Sequence, residues 1–415
     1  MDWSHPLTPE SDFSFEPKEP FSFEAATGGP LGEIPEALRD RIQVDTIHDG
    51  DMIPAEFLVA ADGRPIAPAE IRSSFELDRD WGAGLVATRL AGALGLAGFH
   101  QVNTARVLMD FGRFPGSTQA GADYQNRFAI NYPFSEWLGH DQKRLVLEQQ
   151  YDRCSTGMEK AVAGKLIKIA CHTYDRRNAS GTLRPHVSLV TRSLAYQKDS
   201  RMPAGIFDPL YPDLLAEFTS DRILTDRISL DLEKSGIPVA HNYPYCLPEG
   251  SIEVRAQVWF FFDFARKRFE AERPDTASDP AYRAMWGMLL DTNRRNTESD
   301  ALRSYLHLFR RAPAGLDAMF RQVRIAYEQV KVMIERDDRR MIAEYRYSDS
   351  RPSTIAIEVR KDLVWDLTDD DRPIRPRPDV ATRIAEAIAQ AVLRYLREDR
   401  PERRSRDVTL GFVDR

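Results

Sequence analysis

A chain of 415 residues, 42% hydrophobic and 29% charged, has enough apolar material for one large globular domain or two small ones. Its formal charge of −7 gives no basic footprint, which argues against a nucleic-acid partner, and its three cysteines, Cys154, Cys171 and Cys246, are too few and scattered for a disulfide framework or a cysteine-based zinc knuckle. The N-terminal MDWSHPLTPESDFSFEP has acids and prolines where a signal peptide has a basic flank and an apolar core, and no stretch reaches membrane-spanning length, so the expected setting is cytoplasmic, with no membrane contact.

Residues 1–32 are rich in Pro, Ser, Glu and Gly and read as an extended arm. Its two FSF triplets, at 13–15 and 21–23, can pack on the core or on a second copy of the chain, so a homodimer stays open. IQVDTIHDGD, 42–51, reads as a strand that delivers His48, with Gly50 permitting a tight turn. Leu77 to Leu96 is expected to be a single helix whose start carries Asp78 and Asp80. Asp80 is then either a carboxylate placed by the helix dipole or an oxygen ligand for a divalent metal. Phe99 to Phe111 reads as a further strand, with Arg106, Asp110 and Arg113 in or just beyond it. Those arginines can fork onto a substrate carboxylate, or pair with Asp110 and hold the loop. Residues 134–164 carry helical spacing.

KLIKIACHTYD, 165–175, is a short buried strand whose polarity switches at Cys171 and delivers His172. Cys171, adjacent on a strand, faces the opposite side from His172, which excludes a nucleophilic pair built from the two. His186 to Thr191 alternates like another strand, Tyr211 to Ser235 reads as an amphipathic helix, and VAHNYP at 239–244 leads into a loop with Asn242, Tyr243 and Tyr245. The texture from 251 to about 346 is helical throughout and rich in arginine, which suggests an insertion or lid. STIAIEVRKD, 353–362, is a strand that delivers Glu358, Arg360 and Asp362, and a last helix covers Asp379 to Leu396. The expected organisation is an arm at 1–32, an α/β core at 33–250 and 350–400, a helical insertion at 251–349 and a tail at 401–415. Polar chemistry at strand ends is where open α/β sheets place their sites, and three strands that each run into His or Glu suggest a metal-dependent hydrolase with a carboxylate base.

Six motifs in order, HDG at 48–50, LDRDWGA at 77–83, ARVLMDFGR at 105–113, IACHTYD at 169–175, NYPY at 242–245 and IEVRKDL at 357–363, resemble those of the N-formylglutamate amidohydrolase family, which is distantly similar to zinc carboxypeptidases. The resemblance implies a three-layer α/β/α fold, phosphorylase/hydrolase-like, with a mixed and mostly parallel sheet. It implies a Zn2+ ion, or another divalent metal, on His48, Asp80 and His172, with Asp78 competing for the carboxylate position. Glu358 would be the general base, and Arg113 would hold a substrate carboxylate or polarise the scissile carbonyl. Arg106, Arg360, Asn242 and Tyr245 would line the substrate site. The implied reaction is hydrolysis of a linear amide in a small N-formyl or N-acyl amino acid; a carboxypeptidase-like peptidase or a specialised-metabolism amidase uses the same groups, and a non-catalytic binding protein is the rival outside enzymology. Two departures stand out: Gly112 replaces the motif's asparagine before the arginine, and the helical stretch of roughly a hundred residues before IEVR is absent from an ordinary member.

Overall fold

The computed structural model describes residues 14–115, 129–178, 180–193, 207–336 and 338–399. The expectations for Phe13 and for the 401–415 tail concern residues outside those described. Seven strands form one sheet: β1 (Phe21–Ala25), β2 (Ile42–Thr46), β3 (Gly98–Val102), β4 (Ile167–Tyr174), β5 (Val187–Val190), β6 (Val239–His241) and β7 (Ser353–Arg360), in the order β1-β3-β2-β4-β7-β5-β6. β2 is parallel to both β3 and β4, and β5 to β6, while β1 runs antiparallel to β3 and β5 to β7. The sheet is thus mixed and mostly parallel. β2, β4, β5 and β7 are buried along their whole length, so the polar residues that interrupt their apolar ones, among them Gln43, Asp45, Lys168, Ser188 and Glu358, are buried as well.

Helix α1 covers Pro68–Asp78, α2 Ala83–Ala93, α3 Asp152–Val162, α4 Arg222–Lys234 and α5 Pro378–Arg394. The small residues of α2, AGLVATRLAGA, let it lie close over β2, β3 and β4, and α5 packs against α2 and α4 in turn. Among the described residues no helix is long and apolar enough to cross a membrane. Under α3 the sheet buries a charge pair. Lys168 Nζ on β4 lies 3.0 Å and 2.9 Å from the two carboxylate oxygens of Asp45 on β2, both side chains fully shielded from water. Gln43 joins them, donating to Asp45 at 3.3 Å and to the Met158 sulfur of α3 at 3.2 Å.

Four expectations need correction. The periodicity predicts one helix from Leu77 to Leu96, but the chain breaks between α1 and α2: Arg79 is extended, and Gly82 is left-handed at φ 89°. The strand expected from Phe99 to Phe111 ends at Val102. The apolar Ala105, Val107, Leu108 and Met109 are buried in turns, with the Leu108 and Met109 amides both bonded to the Ala105 carbonyl. The helix expected from Tyr211 to Ser235 is a short turn at Asp213–Ala216 followed by α4, which begins where Asp221 caps the Ile223 amide at 2.9 Å. The stretch expected as an extended arm carries a folded element: its second FSF triplet takes the core-packing alternative and starts edge strand β1, with Phe21 stacked on His100 at 5.2 Å.

Gly50 has a different reason from the turn expected of it. A Cβ there would lie 2.5 Å from the Asn103 carbonyl carbon and oxygen, so backbone packs directly on backbone. Gly50→Ala should cost about 1–3 kcal/mol by overpacking. Thermal unfolding should show a melting point several degrees lower, and an unchanged one would contradict the contact.

The chain divides into two compact units, residues 1–191, 220–246 and 354–415 in one, and 192–219 with 247–353 in the other. The second is helical, with helices at Ile252–Glu272, Pro280–Leu290, Thr297–His307, Asp317–Arg336 and Asp338–Tyr347. The first three begin on Ser251, Asp279 and Asn296, whose side chains accept the open backbone N–H groups of the first turn. Within it, buried Asp208 accepts from the Tyr327 hydroxyl at 2.8 Å and lies 3.0 Å from His307 Nε2.

Candidate metal centre

β2 and β4 run side by side in one direction, so residues leaving their C-terminal ends emerge together, as in other open α/β sheets. His48 lies two residues past β2, and His172 sits on β4 near its end. The 79–82 break brings in the third member: the Asp80 amide bonds to the His48 carbonyl at 3.0 Å. All three side chains are buried. Asp80 Oδ2 lies 3.4 Å from His48 Nδ1 and 3.0 Å from His172 Nδ1, and the three ligand atoms fall within 4.8 Å of one another. Asp78, the competing carboxylate, is half-buried and outside that group.

The outer atoms of His48 and Asp80 are turned to other partners. Arg106 Nη1 donates to Asp80 Oδ1 at 3.0 Å, which leaves Oδ2 for the imidazoles. His48 Nε2 faces Asp110 Oδ1 at 2.7 Å. Asp110 also accepts from the Gly112 amide at 2.9 Å, from Arg106 Nε and Nη2 at 3.3 Å each, and from Arg113 Nε at 3.1 Å. A carboxylate so surrounded stays ionised and can only accept, so the contact with Asp110 places a proton on His48 Nε2. Such a carboxylate–histidine pair is the usual support of a metal-bound imidazole. Burial alone would raise the carboxyls of Asp80 and Asp110. Arg106 and the histidine hydrogen bonds outweigh it and hold both well below the usual carboxylate range.

Asp49 and Arg79, each next to a metal-ligand candidate, form a buried pair: Arg79 Nε donates to Asp49 Oδ1 at 2.8 Å, and the Gly84 amide at the start of α2 donates to Oδ2 at 2.8 Å. The Arg79 guanidinium lies 4.3 Å from the Trp81 ring centroid. The pair locks the HDG turn to the 79–82 break and so fixes His48 against Asp80. Asn131 completes the frame, accepting from Arg113 Nη1 at 3.1 Å and donating to the Arg106 carbonyl at 2.8 Å. These three residues carry no motif of their own; the only sequence signal is that Asp49 and Arg79 flank His48 and Asp80. Gly112 is explained by the same frame. A Cβ there would lie 3.1 Å from Asp110 Oδ1 and 3.3 Å from the His48 ring, so the position that holds asparagine in the resembling motif is here pressed against the His48–Asp110 bond.

Glu358 lies on β7, the sheet neighbour of β4. Its Oε1 accepts from the Tyr245 hydroxyl, and its Oε2 is buried with no hydrogen-bond partner among the described residues. Burial raises the Glu358 carboxyl, and Asp80 adds to the rise; His172, the Tyr245 hydrogen bond and Arg106 oppose it. Tyr245 is 40% exposed, yet burial of its hydroxyl and the nearby Glu358 push the phenol well above its ordinary value, so the proton of that bond stays on tyrosine. Arg360, two residues on, donates through Nε to Asp362 at 2.6 Å and through Nη1 to the Arg184 carbonyl at 3.1 Å. Asn242 is left-handed at φ 53°, and its side-chain oxygen accepts the Thr191 amide at 2.8 Å. Cys171 is buried, and burial pushes its thiol up, the opposite of an activated nucleophile.

Two imidazole nitrogens and one carboxylate oxygen, buried and within 4.8 Å of one another, can hold a divalent metal ion and suit zinc among others. No protein-family model matches the chain, and no curated protein matches it. Among solved structures the chain is similar to N-formylglutamate amidohydrolase from Ralstonia eutropha, at 13% identity and a TM-score of 0.46 over 92% of this chain and 100% of that one. It is also similar to a gene product from Agrobacterium tumefaciens, at 14% identity and a TM-score of 0.43 over 92% of this chain and 98% of that one.

Proposed function

We propose that the chain is a metal-dependent hydrolase of linear amides, with His48, Asp80 and His172 holding Zn2+ or a similar divalent ion and Glu358 as the general base. The observation that carries this reading is the unpartnered Oε2 of buried Glu358 beside a buried His–Asp–His donor set. A divalent ion on such a set lowers the pKa of its water to about 7 and polarises a carbonyl. Glu358 Oε2 then accepts a proton from the attacking water and returns it to the departing amine nitrogen. Tyr245 holds the other oxygen and so fixes how the carboxylate is turned. Arg106 spends its donors on Asp80, Asp110 and the Asp78 carbonyl and keeps the ligands in place. Arg113 is tied through Nε and Nη1, and its Nη2 would donate to the oxygen of the scissile carbonyl. The order of sequence motifs supports an N-formyl or N-acyl amino acid as substrate.

Elemental analysis of protein purified without added metal tests the reading. The wild type should carry about one equivalent of a divalent metal per chain and the His48→Ala/His172→Ala variant almost none, because the ligands supply the binding free energy. A wild type that stays free of metal after reconstitution sinks the hydrolase reading.

A further inference from the structure

We propose that Arg184 anchors a carboxylate of the substrate, at the end of the molecule away from the amide that is cleaved; this rests on the reading of the site given above. Tyr174 lies two residues beyond His172 on β4 and so shares its face of the sheet. The Arg184 guanidinium lies over the Tyr174 ring, 5.3 Å from its centroid. Two bonds hold that segment in place: the Tyr174 hydroxyl donates to the Pro185 carbonyl at 2.8 Å, and Arg360 Nη1 donates to the Arg184 carbonyl at 3.1 Å. Arg360 shares a face of β7 with Glu358, and the Arg360 amide bonds to the His186 carbonyl at 2.9 Å, so Arg184 is docked on the strand that carries the base.

Its charge sets it apart from its neighbours. Arg106 and Arg113 are committed to Asp110, and Arg106 also to Asp80. Arg360 pairs with Asp362, as does Arg176 at 3.7 Å, and Lys361 pairs with Asp175 at 2.8 Å. Among the described residues Arg184 faces no carboxylate, and its Nε is buried without an acceptor. A buried donor left open is unfavourable, and an acceptor brought to it would relieve the cost. A substrate carboxylate that sought Arg106 or Arg113 would compete with Asp110, whereas the Arg184 guanidinium faces no carboxylate among the described residues. Among the described residues Glu358 Oε2 and Arg184 Nε are both buried without a hydrogen-bond partner, one for the reacting end and one for the charged end.

The test uses the full chain as wild type, Arg184→Met and Arg184→Lys, with N-formyl amino acids and the same compounds capped as methyl amides. Turnover and equilibrium binding by calorimetry are both recorded. Loss of the anchor should raise KM for the carboxylates about 10–100-fold, more than kcat falls, and the preference for carboxylate over capped compound should collapse. Lysine should restore part of it, since it keeps the charge and loses the fork. Equal losses on both compound series, or a fall confined to kcat, would overturn the anchor and leave Arg184 a structural residue. If nothing is turned over, binding decides: carboxylate affinity that drops in Arg184→Met supports the anchor while the hydrolase reading fails. Wild-type affinity unaffected by the substitution, or no binding of any carboxylate at millimolar concentration, overturns it.

Discussion

Glu358→Gln should keep its metal and its melting point and lose about 10²–10⁴-fold in turnover. The substitution is nearly isosteric, and the amide oxygen can still accept from Tyr245 where Oε1 does now. What disappears is the oxygen that can receive a proton, the one buried atom of the pair with no partner. Glu358 stands outside the His48, Asp80 and His172 group, so metal content should not follow it. Burial already disfavours the charged carboxylate, so a neutral amide at this position should not destabilise the fold. Elemental analysis, thermal unfolding and single-turnover kinetics on one preparation separate these quantities. Undiminished turnover in a metal-replete variant would remove Glu358 from the chemistry, and loss of metal would show that it belongs to the ligand frame.

How much of this was legible without coordinates depends on how local the cause is. β2, β4 and β7 could be read because each is rich in Ile and Val over a short span, IQV, IKI and IAIEV, and His48, His172 and Glu358 stand within or just beyond those spans. The break between α1 and α2 could not be read, because Arg79 leaves the helical conformation to reach Asp49, thirty positions earlier in the chain, and apolar spacing carries no trace of that. Helix spacing alone therefore leaves Asp80 open between a helix-start carboxylate and a metal ligand, and only the fold places its Oδ2 between the two histidines. The stretch after Val102 misled for a related reason. Its apolar residues are as buried as those of a strand, but they fill turns, and the Asp110 amide pairs with the Ala129 carbonyl. The Tyr245–Glu358 bond joins residues more than a hundred positions apart, and only the fold brings them together.

The largest effect on stability should come from a pair that touches no part of the centre. Lys168→Met leaves Asp45 fully buried without its counter-charge, and breaking a buried pair from one side costs about 3–5 kcal/mol. Neither side chain has any exposed surface, so solvent does not screen the loss. At about 2–4 °C per kcal/mol for a domain of 150–250 residues, the melting point should fall by roughly 6–20 °C. Gln43 can compensate only in part, since its amide lies 3.3 Å from Asp45 and is shared with the Met158 sulfur. Replacing both charges, Lys168→Met with Asp45→Leu, should recover most of the loss, because the desolvation of both ions is then avoided. The double-mutant cycle measures that coupling directly, and additive losses would mean that the pair contributes nothing beyond its separate side chains. Metal content of the double variant should match the wild type, since Lys168 lies near the start of β4 and bonds to Asp45, whereas the ligand groups gather toward the other end of the strand. A melting point that falls in Lys168→Met and returns in the double variant, with metal constant in the latter, would locate this pair in the stability of the sheet and outside the chemistry of the site.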